Sequence, residues 1–142
     1  MIKKSKQSRL FLKYSFLLWG VLTSNIFSKE ISFNHDIRPI LSNKCFSCHG
    51  PDKHERKAEL RLDLSEGSDG AYREKDGIFA LKPGSLDDSE LWHRIISEDS
   101  EEVMPPPEAN KKLLTVQEKE LIKQWINSGA KYEKFWAFEK PK

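Results

Sequence analysis

Cysteine is scarce in these 142 residues: Cys45 and Cys48 are the only two. That excludes a multi-disulfide scaffold and leaves a four-thiolate zinc site without half its ligands. Methionine is as sparse, with Met1 and Met104 alone, so any thioether chemistry falls to Met104. No apolar run reaches the roughly 20 residues a membrane span needs. No internal repeat is present, and no basic stripe survives beyond the first 28 residues, which removes the case for nucleic-acid binding. The formal net charge of +2 hides a division. Lys3, Lys4, Lys6, Arg9 and Lys13 give residues 1–28 a charge of +5, leaving −3 for the rest.

What is present begins with that basic stretch. It runs into the mostly apolar segment Tyr14–Phe27, the order of a secretory signal peptide. Residues 1–28 are therefore expected to be a signal peptide cleaved after Ser28, although Ile26 is large for its position. The alternative is an uncleaved anchor, in which case membrane contact comes only through this leader. Residues 29–130 have the size of one domain, and 131–142 form a C-terminal tail or the start of a linker.

The periodicity predicts an all-α domain of about three helices with long irregular loops. The first helix is read in 33–44, with Asp36 as cap, Pro39 in the first turn and Ile37, Ile40 and Leu41 on one face. Glu59–Leu64 alternates polar and apolar residues and reads as a short strand, followed by a surface loop from Ser65 to Lys82. Asp87 and Glu90 have capping-box spacing at the start of a second helix, whose buried face is Leu91, Trp92, Ile95 and Ile96. His93 falls on its opposite side. Thr115 and Glu118 form a capping box for the third helix, which carries Leu121, Ile122, Trp125 and Ile126 and ends at Gly129.

Cys45-Phe-Ser-Cys48-His49 is the attachment pattern of c-type haem. Two thiols about one helical turn apart can add to the two vinyl groups of a haem, and the adjacent His49 is then carried beneath the iron as proximal ligand. A structural disulfide, a thioredoxin-like redox pair and half of a zinc site are the competing readings. No βαβ context supports the second, and the histidine spacings do not suit the third. Met104 lies 55 residues beyond His49 and precedes Pro105-Pro106-Pro107. These prolines restrict φ and donate no hydrogen bond, so they can hold a thioether in place at little entropic cost. Met104 is therefore the expected distal iron ligand, against the alternative that it fills an apolar gap. His35, His54 and His93 are weaker rivals. Arg61 and Arg38 are candidate partners for the haem propionates, although each also reads as a solvated surface charge. The Pro51 carbonyl is a candidate acceptor for the free nitrogen of His49.

Taken together, these residues resemble a known family. Ile37-Arg-Pro-Ile-Leu-Ser-Asn-Lys-Cys-Phe-Ser-Cys-His-Gly-Pro-Asp52 is similar to the opening motif of the planctomycete-type cytochrome c domain. Leu60-Arg-Leu-Asp63, Pro83-Gly84 with Ser89-Glu-Leu91, Met104-Pro-Pro-Pro107 and Leu114–Glu118 with Trp125–Ala130 resemble its later blocks. The resemblance covers about residues 33–130. It implies haem held by Cys45 and Cys48, with His49 proximal and Met104 distal. It also implies a small class I-like fold in which the first and last helices cross beside the haem. Such domains stand at the front of longer exported proteins, and Phe135-Trp-Ala-Phe138 resembles the start of the segment that follows.

Three functions compete. The first is an exported, periplasmic mono-haem electron carrier with one covalent haem c, exchanging single electrons with a redox partner protein. The second is a haem-containing redox-sensing or docking module that engages a larger exported protein through Phe135, Trp136 and Phe138. The third, an enzyme such as a peroxidase, ranks last, because His49 and Met104 together would fill both axial positions.

Overall fold

A computed structural model describes residues 30–134. The leader and the aromatic trio Phe135, Trp136 and Phe138 lie outside the described residues. The chain enters through a π-helical turn, Phe33–Ile37, that continues as α1, Arg38–Lys44. Asp36 is not the cap expected from sequence. Ser32 is the N-cap, its hydroxyl accepting from His35 N at 3.3 Å, while the Asp36 carboxylate reaches back to Ser32 N at 2.9 Å. Pro39 explains the widened turn. It has no N–H to give the His35 carbonyl and its ring crowds that oxygen, so the preceding turn opens to the π register, with Arg38 N donating to Phe33 O.

Helix α2, Glu90–Ile96, starts without the expected Asp87–Glu90 capping box. Glu90 instead pairs with Arg94 one turn on, at 2.7 Å. The buried Ser89 anchors the helix start. Its hydroxyl donates to Ser85 O and accepts from Lys82 N at 2.9 Å. Ile95 is buried and Leu91 and Trp92 are partly so, but Ile96 is 41% exposed rather than on the buried face. Helix α3, Val116–Asn127, is as expected. Glu118 N donates to the Thr115 hydroxyl at 3.2 Å, and Thr115 N donates to the Glu118 carboxylate at 2.7 Å. Gly129 follows at φ +100°, the left-handed position that ends a helix.

The segment 59–64 is not a strand; its only ladder contact is an isolated bridge between Arg61 and Gly70. Ala58 and Glu59 both take φ +52°, which turns the chain too sharply for a strand to begin there. A two-residue hairpin lies instead inside the stretch read as surface loop. β1, Glu74–Lys75, pairs antiparallel with β2, Ile78–Phe79. Asp76 and Gly77 make its turn at φ +56° and +83°, the pair of positive values that this dipeptide accommodates. The described residues thus form three α-helices with little strand.

The core joins the two ends of the domain. Phe33, Ile37 and Leu41 pack with Ile122, Trp125 and Ile126, and Leu62, Ala71 and Leu81 complete the cluster. Residues 131–134 fold back onto it. The Tyr132 ring lies 4.3 Å from Phe33 and 5.3 Å from Trp125, and its hydroxyl donates to Leu62 O at 3.0 Å. Glu133 then places a carboxylate over the start of the first helix, accepting from Phe33 N at 2.8 Å and Asn34 N at 3.2 Å. An anion there satisfies orphan donors and complements the helix dipole. Tyr132→Ala is expected to destabilise the domain by about 3 kcal/mol. Urea unfolding checks this, and a loss below about 1 kcal/mol would contradict the packing role of the ring.

Candidate functional site

A large cavity lies among the described residues, with a volume near 920 Å³. That is at the upper end of the range for small-molecule and cofactor sites. Its walls come from four places. The Cys45–His49 turn supplies one side and the segment 57–62 continues it. The hairpin and α2 contribute Ile78, Ala80, Leu91 and Ile95, and the loop after α2 brings Met104, Pro105 and Pro106. Ile78 is 57% exposed although it lines this cavity, so its apolar side chain has no protein cover.

The cysteine turn is a continuation of α1. Cys45 N donates to Leu41 O at 2.8 Å, Cys48 N to Cys45 O at 3.0 Å and His49 N to Cys45 O at 2.8 Å. This single helical turn carries both thiols and the imidazole to the same cavity wall. Both thiols are unpaired in this structure. Gly50 is required where it stands: a Cβ there would collide with the Phe46 carbonyl. Leu62 N donates to His49 O at 2.8 Å and Lys57 N to Cys48 O at 2.7 Å, which stitches the next segment under the turn.

His49 Nδ1 is buried without a hydrogen-bond partner. The Pro51 carbonyl expected to serve it is taken by Arg56 Nη2 at 2.9 Å, while Arg56 Nε bonds Gly50 O at 3.0 Å and Nη1 pairs with Asp69 at 3.1 Å. Burial holds His49 below its ordinary pKa; the nearby Lys57 backbone opposes this without a well-formed bond to Nδ1, and the Arg73 charge adds to it. The imidazole is thus held neutral, the form in which it can ligate a metal.

Met104 lines the same cavity, as its sequence position suggested. Its backbone N–H donates to Arg94 O at 3.0 Å, tying the loop to the end of α2, and the preceding Val103 is buried. The Met104–Pro105 peptide is cis, and Pro107–Ala109 forms a short 3-10 turn. His35, His54 and His93 are all exposed, and none of them lines the cavity. Arg61 and Arg38 do not line it either. Arg61 is held by Asp63 and Arg38 lies 6.0 Å from the Phe46 ring centroid.

Sequence reasoning missed two groups. Lys44 Nζ donates to Lys112 O at 3.0 Å and Lys111 Nζ to Asn43 O at 2.6 Å, which latch the methionine-bearing loop to the end of α1. Lysines bonding backbone 68 residues away leave no local signal. The hairpin and the cavity-lining Arg73 beside it were also missed, though Asp76-Gly77 is a turn dipeptide that could have announced the hairpin.

The thiol pair, the imidazole with its lowered pKa, the methionine in the same cavity lining and the largely apolar walls fit the donor set of a covalently attached haem. Among the described residues no group of three or more His, Cys, Asp or Glu could hold a bare metal ion. The family model described as Planctomycete cytochrome C matches residues 45–108. That span runs from the first cysteine past Met104 to Glu108, narrower than the resemblance read from the sequence. It implies covalent haem c and an electron-carrier class of function. No curated protein and no solved structure matches the chain.

Cys45 is half-buried by exposed area, yet its sulfur lies deep enough for desolvation to dominate. Burial pushes its thiol up to about 12 from 9.0, against the Lys111 charge, with Cys48 adding and Lys44 opposing. Near neutral pH its thiolate fraction is then about a thousandfold below that of an ordinary thiol. In the haem-free chain, iodoacetamide is expected to alkylate Cys45 more slowly than free thiol by about that factor. Peptide mass mapping over time reads this, and equal rates would refute it.

Proposed function

We propose that this chain, whose residues 45–108 match the Planctomycete cytochrome C family, is an exported mono-haem c-type cytochrome domain that transfers single electrons. The observation that supports it best is the one cavity lined by Cys45, Cys48 and His49 and also by Met104. A haem c bound there supplies one-electron exchange between ferric and ferrous iron. Cys45 and Cys48 hold it through thioethers. His49 presents a neutral nitrogen as proximal ligand, and Met104 presents its thioether as distal ligand.

The remaining residues set those groups in place. Gly50 lets the turn close and Arg56 braces the chain after it. The Lys44 and Lys111 latches keep the methionine loop against α1. Pro105 and Pro106 limit its backbone freedom. Apolar walls at Leu60, Leu62, Leu91 and Ile95 exclude water and keep the dielectric low. A haem held by both His49 and Met104 would be suited to electron transfer rather than to binding oxygen or peroxide, which supports an electron carrier over a catalyst.

Export belongs to the same reading. Residues 1–28 act as a signal peptide, placing the mature domain in the periplasm, where the −3 charge of the remainder suits a basic redox partner. No helix among the described residues is long and apolar enough to cross a membrane.

Expression with c-type maturation machinery tests the reading. The product is expected to carry one haem per chain, resistant to acid–acetone extraction, with a Met–iron absorption band. Met104→Ala is expected to abolish that band and lower the reduction potential, because His/Met coordination raises it. A wild-type product without the band would remove Met104 from the ligand set. Export is checked separately: N-terminal sequencing of periplasmic protein should begin at Lys29, and a retained leader would favour the anchor.

A further inference from the structure

We propose that Arg73 anchors a haem propionate, fixing the edge of the cofactor remote from its thioether links. The inference rests on the haem reading above. Thioether bonds at Cys45 and Cys48 engage the vinyl-bearing edge of the macrocycle. Its two propionates therefore face whichever cavity residues are not committed to the cysteine turn. Carboxylates taken out of bulk water need cationic or hydrogen-bonding partners.

Six cations line the cavity: Lys44, Lys57, Arg73, Lys75, Arg94 and Lys111. Four acidic residues accompany them, so the wall carries two positive charges in excess, equal in size to two propionates. The charged groups of Lys44, Lys111 and Arg94 are otherwise engaged. Lys44 and Lys111 bond backbone carbonyls beside Cys45, at Lys112 O and Asn43 O. Lys57 adjoins Cys48 through its own N–H. Arg94 is paired with Glu90 at 2.7 Å. Lys75 is an exposed strand residue.

Arg73 differs from all of these. It is half-buried, and no carboxylate among the described residues pairs with it. Its guanidinium is nevertheless fixed, with Nη2 donating to Ala58 O at 2.8 Å and Nη1 to Glu59 O at 3.2 Å. The two residues offering those carbonyls are the ones at φ +52°, a conformation that alanine and glutamate rarely adopt. Strain of this kind persists where the surroundings over-determine it and gathers at ligand clamps. Here it turns two neutral acceptors towards one cation. They orient the fork without cancelling its charge, and leave Nε and one N–H of each Nη for a carboxylate.

The test uses the haem-loaded protein and protein-film voltammetry across pH. An arginine beside a carboxyl group lowers its pKa by about 1–3, so in wild type the propionate stays ionised and the potential is flat through the neutral range. Arg73→Gln removes a positive charge near the iron. That favours the ferric state, so the potential should fall. The propionate pKa should also rise by about the same 1–3, and the potential should then drop with increasing pH as that proton is lost. Arg73→Lys keeps the charge but not the fork. It is expected to hold the potential near wild type while moving the propionate titration upward by less. Lys123→Gln, at a half-buried position on α3 outside the cavity lining, controls for net charge and should change neither.

Arg73→Gln protein that titrates as wild type does would overturn the assignment. Should that variant not accumulate, Arg73→Lys decides, and an unmoved titration overturns it equally. A wild-type product with no covalent haem sinks the functional reading and this inference together. Haem present with Arg73 variants silent sinks the inference alone.

Discussion

Phe33, Trp125 and Tyr132 form the contact on which the geometry of the domain depends. The three rings come from the start of the first helical segment, from α3 and from the tail, and their centroids lie 4.3 to 5.7 Å apart. Aromatic groups of this size bury large areas and add specific edge and tilt preferences. Their packing fixes the direction of α1 relative to α3. Because the Cys45–His49 turn follows α1 directly, with Cys45 as its C-cap, the same contact aims both thiols and the imidazole. Tyr132 transmits it further. Its hydroxyl bonds Leu62 O, and Leu62 N bonds His49 O, so the ring cluster is two hydrogen bonds from the backbone of the histidine.

The opposite wall is set by a different device. Helix α2 is short, and seven residues hold little intrinsic helical stability in water. It is kept in place by the buried Ser89 hydroxyl, by Ile95 in the core and by Leu91 N bonding Ala80 O at 2.9 Å. Met104 hangs from its last turn through Arg94 O. The two lysine latches then bring the loop back to the end of α1, where the cysteine turn begins. The cysteine turn and the Met104 loop therefore meet at residues 43–45, and a change at this junction would move both together.

What could be read in advance follows how local each signal is. The α3 capping box, the exposed His93 and the cysteine–histidine turn depend on residues within four positions of one another, and all were legible. Met104 stood out for a chemical reason, being the only internal methionine, set before three prolines, and it does line the cavity. Asp36 and Glu90 were misplaced because cap spacing cannot say which partner wins. Ser32 and Arg94 compete for them, and geometry favours those. The alternation at Glu59–Leu64 suggested a strand because Leu60 and Leu62 do face inward, but towards a cavity, with no neighbouring strand to pair with. Of the aperiodic tail, the described residues 131–134 form no helix or strand. Tyr132 and Glu133 each complete another element's interactions.

The partnerless His49 Nδ1 bears on the ligand role proposed for this residue. In metal sites a ligating imidazole usually donates its second N–H to a carbonyl or carboxylate, which fixes the tautomer and raises basicity. Here Arg56 bonds both the Gly50 and Pro51 carbonyls and so stiffens the chain just after the histidine. Burial lowers the His49 pKa and outweighs the nearby Lys57 backbone, which raises it, while the Arg73 charge acts with burial. A metal held by His49 would therefore meet a less basic imidazole than one supported by a carboxylate. That property comes from residues 50–73, which pack around the ring, and not from the Cys-x-x-Cys-His pattern itself.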